Sequence, residues 1–180
     1  MTENVFLDTL REQPNDDTTR RVFADWLEEQ DDPTCTLKAE YIRADLELTT
    51  MPRKPKRKGY RKRLADRRHE LAGQLDLEWM AIVTLAKVEA CTFAFECTLK
   101  WQSLQMIEGE TTVRHCSACN EHVYYCGTME DARRHTRAGH CVAIDARASR
   151  VKDDLREDFL RGELPRGMML GSMRRPVPDE

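Results

Sequence analysis

Apolar residues over the first fifty positions recur at helical spacing. Phe6, Leu7 and Leu10 share one face of a short helix, which Gln13-Pro14-Asn15-Asp16-Asp17 interrupts. Asp16 or Asp17 can cap a second helix by accepting its free backbone N–H groups. Within it Val22, Phe23, Trp26 and Leu27 follow the i, i+1, i+4, i+5 pattern of a buried stripe, so Trp26 is expected in the core. Asp31-Asp32-Pro33 ends that helix. A third is expected over residues 37–48, with Ala39, Ile42 and Leu46 turned inward. Three such short helices are marginal alone and need a shared core.

Two prolines and a glycine then fall in a run of like charges, which predicts a linker over residues 49–59. A longer helix is expected from Tyr60. Leu64, Leu71 and Leu75 form its stripe, Trp79, Ile82 and Val83 extend or restart it, and Arg61, Lys62, Arg63, Arg67 and Arg68 face water.

The pattern changes after Val88. Residues 91–95, Val113 and Val123-Tyr124-Tyr125 read as strands, and of the two adjacent tyrosines one should face in and one out. A helix is expected over residues 128–138, capped by Thr128 and stopped by Gly139. Cys141-Val142-Ala143-Ile144 reads as a further strand. One more helix is expected over residues 151–160, with a loose tail over 161–180.

Charge alters this picture locally. The net charge of -3 conceals an acidic head, 13 acids against 5 bases in residues 1–50, and a basic collar, 10 bases against 2 acids in residues 51–74. The collar either meets a polyanion such as nucleic acid or is offset by its acidic neighbour. No apolar run is long enough to span a membrane. The N-terminal residues lack the basic and apolar regions of a secretory signal, which predicts a cytoplasmic protein.

The cysteines carry most of the remaining information. Six of the seven lie within residues 91–141; the odd total and the lack of an export signal favour metal over disulfides. Cys116-Ser117-Ala118-Cys119 can offer two thiolates from one tight turn to a tetrahedral ion. Three constellations complete it: Cys97 with Cys141; His135 with His140, in the range of a Cys2His2 finger; or a set that includes Cys126. Gly139 should stop the helix before His140 and so weaken the two-histidine option. Zinc suits such ligands, and an iron–sulfur cluster uses the same thiolates. His115 and His122 flank the turn, and Trp101 is expected to pack over it. The deaminase, His-Glu-x-x-His, c-type haem and phosphate-loop signatures are absent, and no βαβ setting for a thioredoxin-like dithiol is evident.

Two segments bear a resemblance to known families. Phe6-Leu7, then residues 14–29 with the string Ala24-Asp25-Trp26-Leu27-Glu28-Glu29, then Asp32-Pro33 and Glu40-Tyr41-Ile42-Arg43, resemble the repeat-companion domain of planctomycete-type bacterial proteins over about residues 3–48. The resemblance implies a small helical module rather than an activity. Cys97 with Trp101 and Leu104, Arg114-His115-Cys116 to Cys119, Val123-Tyr124 and Gly139-His140-Cys141-Val142 are similar to bacterial cysteine-rich modules over about residues 95–145. That resemblance implies Cys97, Cys116, Cys119 and Cys141 as ligands, with Cys126 as an extra thiol.

The expected fold class is α+β, a helical N-terminal half with a small zinc-ribbon-like β/α C-terminal module. Its parts are a helical domain 1–48, a basic linker 49–59, a helical connector 60–90, a cysteine-rich module 91–146 and a tail 147–180. The leading functional expectation is a non-enzymatic, zinc-stabilised module that binds a protein partner. Two alternatives stand beside it. One is nucleic-acid binding through Arg53, Lys54, Lys56, Arg57, Lys58, Arg61, Lys62 and Arg63. The other is a thiol-based redox sensor or enzyme using Cys126.

Overall fold

The computed structural model describes residues 2–52, 57–89, 99–151 and 154–155. The expected strand over 91–95, Cys97, the helix over 151–160 and the tail over 161–180 lie wholly or mostly outside them, as do Arg53, Lys54 and Lys56.

The α+β expectation holds. Five helices come first: α1 (Glu3–Glu12), α2 (Asp17–Glu28), α3 (Pro33–Thr50), α4 (Lys58–Ala72) and α5 (Leu77–Val83). Asp16 caps α2 by accepting from the Thr18 and Thr19 N–H groups at 2.8 and 3.1 Å. Asp32-Pro33 does more than end α2. Asp32 accepts from the Cys35 N–H at 2.9 Å and Pro33 occupies the first helical turn, so α3 starts at Pro33 rather than at 37. Ala39, Ile42 and Leu46 are buried, whereas Val22 is 51% exposed and Ala24 takes its place in the core. The stripe of α4 does not continue into α5. Gly73 to Asp76 break the chain, and Asp76 caps the new helix by accepting from the Trp79 N–H.

The arginines of α4 are not all turned to water. Arg67 pairs with Glu40 and Glu70, Arg68 with the buried Asp45 at 2.5 Å, and Arg61 donates to the Leu48 carbonyl. Two carboxylates of α3, Glu40 and Asp45, thus neutralise Arg67 and Arg68 of the basic helix that follows.

The sheet comprises β1 (Val88–Glu89), β2 (Gln105–Ile107), β3 (Glu110–Cys116), β4 (Glu121–Cys126) and β5 (Cys141–Ile144), in the order β1-β5-β4-β3-β2. A single 3-10 turn, Trp101–Ser103, precedes β2. β4 pairs with β5 in parallel, and α6 (Met129–Arg137) connects them; the other pairings are antiparallel. This β4-α6-β5 unit is a βαβ arrangement that the sequence reading did not find. Thr128 caps α6 and Gly139, at φ +80°, ends it.

The register divides the sheet residues between two faces. Arg114, Cys116, Val123, Tyr125, Cys141 and Ala143 face the helices α1–α5, and all but Arg114 belong to the hydrophobic cluster that includes Leu10, Phe23, Ile42 and Trp79. Tyr124, Cys126, Val142 and Ile144 face α6 and form a second, smaller cluster with Ala132 and Leu155. The main cluster is therefore continuous from α1 to β5.

Candidate metal centre and its surroundings

The turn between β3 and β4 carries Cys116 and Cys119. It is closed by the Asn120 N–H, which donates to the Cys116 carbonyl at 2.8 Å, with Asn120 in the left-handed region at φ +59°. Asparagine tolerates that conformation better than most residues. His115 steadies the turn from the opposite face of the sheet, its ring nitrogens lying 3.2 Å from the Gln105 and Asn120 side-chain oxygens. His122 pairs across the strand from His115, with the rings edge-on at 6.0 Å.

Cys116 and Cys141 are buried on the face turned to the helices, and Cys119 is exposed. Cys141 lies beside Val123 on β5, and Cys116 beside Glu121 on β3. The two buried thiols thus share a face and an end of the sheet, with β4 between them. Among the described residues no group of three or more His, Cys, Asp or Glu side chains is close enough to hold a metal. Cys97 lies outside the described residues. The donor chemistry suits zinc: two cysteines flank a tight turn and a third lies on the same face.

The other candidate ligands are on the far side. Cys126 faces α6 with Tyr124, opposite to Cys116 and Cys141, and burial pushes its thiol up to about 12. His135, at the end of α6, and His140, just beyond it, stack on Tyr124 with ring centroids at 4.1 and 4.8 Å. Their Nδ1 atoms are 3.1 Å apart. Burial, and then His140, hold His135 below the usual histidine range. The structure therefore brings the two histidines together but does not bring them to the Cys116–Cys119 turn. Gly139 does not separate the pair as the sequence reading expected. Its left-handed turn folds His140 back beside His135. Of the two tyrosines, Tyr125 is buried and donates to Asp145 at 2.8 Å, while Tyr124 is half-buried under the histidine rings rather than pointing freely outward.

Trp101 does not pack over the cysteine turn. It is fully buried where the sheet meets α5, donating its indole N–H to the Ala81 carbonyl at 2.7 Å and lying 5.2 Å from the Tyr125 ring. The Arg114 guanidinium lies over the Trp101 ring, 4.5 Å from its centroid, and donates to the Trp101 and Ala81 carbonyls at 3.0 and 3.3 Å. Burial, and then the nearby Arg20, bring Arg114 down to about 10. Arg20, also buried, donates to the Val83 carbonyl at 2.9 Å. Two buried arginines thus meet the carbonyl end of α5, where the helix dipole favours positive charge. Sequence reasoning missed both, along with the buried Asp45 and Asp145. Buried charges carry little local signal, because charged side chains are usually exposed.

In the basic segment Arg57, Lys58, Lys62 and Arg63 are exposed, Lys62 pairing with Asp66 at 2.9 Å. Tyr60 donates to Glu47, the next acidic residue along the same α3 flank. No helix among the described residues is long and apolar enough to cross a membrane.

No protein-family model, curated protein or solved structure matches the chain.

Proposed function

We propose that the chain is a metal-stabilised protein-interaction module rather than an enzyme, with Cys97, Cys116, Cys119 and Cys141 holding one structural zinc ion. The observation that carries this reading is the Cys116–Cys119 turn. Its left-handed Asn120 and its 5→1 hydrogen bond form the kind of tight turn that lets two thiolates share an ion. Cys141 supports it from the same end and face of the sheet. A metal there would fasten the open end of a sheet whose strands have two to seven residues. Structural zinc sites contribute on the order of 10 kcal/mol in small domains.

The buried charged groups favour a structural account over a catalytic one. Asp45 accepts from Arg68 and the Leu85 N–H, and Asp145 from Tyr125 and the Arg147 N–H, so both carboxylates are engaged in holding segments together. The partner class, a protein rather than a nucleic acid, is favoured by α3, whose carboxylates already occupy Arg67 and Arg68.

Elemental analysis of the purified protein tests the reading, together with single Cys→Ser changes at 97, 116, 119, 126 and 141. One zinc per chain is expected, lost in every variant but C126S. A metal-free chain, an iron centre, or zinc retained without Cys116 and Cys119 refutes it.

A further inference from the structure

The two histidines on the far side of the sheet are placed by backbone geometry. The His140 N–H donates to the His135 carbonyl at 3.0 Å and the Gly139 N–H to that of Thr136 at 3.0 Å. With Gly139 at φ +80°, these 6→1 and 5→2 bonds form the Schellman ending of α6. That motif sets the residue after the glycine against the one five positions earlier. The contact is commonly hydrophobic, but here two imidazoles fill it. Tyr124 lies under both rings and limits their tilt.

We propose that His135 and His140 form a second metal site, a surface two-histidine chelate for a borderline divalent cation such as Zn2+ or Ni2+, separate from the cysteines. Nitrogens 3.1 Å apart, each about 2.0–2.1 Å from a shared ion, give a bite of roughly 100°, within reach of tetrahedral or square geometry. Both rings are partly exposed, so a hydrated ion can reach them. Without metal, one Nδ1 donates its proton to the other; when an ion takes both Nδ1 atoms, that proton passes through solvent to Nε2 of the same ring, so both imidazoles bind in the neutral form. Two protein ligands leave coordination positions for water or for a donor group on a bound partner. The site lies on the face that carries Cys126, opposite to Cys116 and Cys141, so its occupancy does not depend on the cysteine reading.

The test is titration of the full chain, as purified, with Zn2+ by calorimetry, following the imidazole nitrogens by NMR. A weak site is expected beyond any resident metal, with both Nδ1 resonances shifted. H135Q and H140Q should each weaken it on the order of tenfold or more. Gly139 provides a readout that keeps both histidines. A Cβ at this position meets nothing within 4 Å, so only the left-handed backbone opposes substitution. G139A should therefore weaken binding several-fold by opening the turn, and G139N, which tolerates that conformation, should retain it. The Cys116, Cys119 and Cys141 Cβ resonances should stay unchanged while the imidazoles shift, which separates this site from the proposed cysteine centre. Absence of a second binding event at millimolar Zn2+, or binding that survives H135Q and H140Q unchanged, overturns the proposal.

Discussion

Arg114 permits a sharp test of how the sheet is joined to the helices. Its side chain is buried, and among the described residues it has no carboxylate partner. Its guanidinium rests on Trp101 and donates to two carbonyls, and its Nε has no hydrogen-bond partner. Each of those carbonyls has a second donor. The Ala81 oxygen accepts from the Trp101 indole at 2.7 Å, and the Trp101 oxygen from the Leu104 N–H at 3.2 Å. Removing the guanidinium therefore orphans no acceptor and relieves the burial of an unpaired charge. R114M keeps most of the volume and should lie within about 1 kcal/mol of the parent, or be more stable. R114A opens a cavity against Trp101 and should cost about 3 kcal/mol. R114K keeps a buried charge without the planar stack and should fall near R114A. Urea unfolding followed by tryptophan fluorescence and circular dichroism at fixed metal content gives the order. If R114M costs as much as R114A, packing is not what the arginine supplies. The positive charge itself would then be required, and the reasoning fails.

Three further outcomes are expected. D45A leaves Arg68 and the Leu85 N–H without their buried acceptor and should cost about 3 kcal/mol by chemical denaturation. At pH 8 Cys126 should react with iodoacetamide roughly a thousandfold more slowly than an ordinary thiol, because burial raises it to about 12 and suppresses the thiolate; rapid labelling of Cys126 in the folded chain would contradict its placement. The Thr19 hydroxyl and backbone N–H lower Asp16, and the Cys35 N–H lowers Asp32, so each contributes stability that is present above the unfolded carboxylate range. That contribution should be lost as pH falls below about 4, and D16N should flatten this part of an acid-unfolding curve.

Local chemistry was legible in the sequence wherever a residue acts on its own neighbourhood. The Asp16 and Thr128 caps, the Gly139 stop and the strand at Cys141 are read from a few adjacent positions, and the structure has each of them. What depends on distant segments was not legible. Strand periodicity carries no orientation, so the parallel pairing of β5 with β4 rests on the strand–helix–strand order of residues 121–144 rather than on either strand's own pattern. The inward turn of Arg67 and Arg68 required knowing that α3 would lie alongside α4. The rule that charge runs face water then fails at the two positions nearest Glu40 and Asp45. At the candidate site the spacing of Cys116 and Cys119 is readable, whereas their separation from Cys126 depends on the β3–β4 register. The meeting of His135 and His140 is hidden in the sequence because Gly139 reads as a terminator, whereas the same left-handed residue also reverses the chain.

The pairing of α3 with α4 has a consequence for any polyanion that approaches the basic segment. Glu40 and Asp45 are tethered to the arginines they neutralise, so they act as competitors at an effective concentration of millimolar or more, which dilution cannot lower. An incoming phosphate chain must displace carboxylates that cannot diffuse away. Only Arg57, Lys58, Lys62 and Arg63 stand exposed to attract it among the described residues of that segment, and Lys62 already has Asp66. The acidic helix therefore works as a built-in decoy, and E40Q combined with E70Q, which removes both carboxylates that hold Arg67, would release it as a measurable gain in salt-sensitive binding to heparin or DNA.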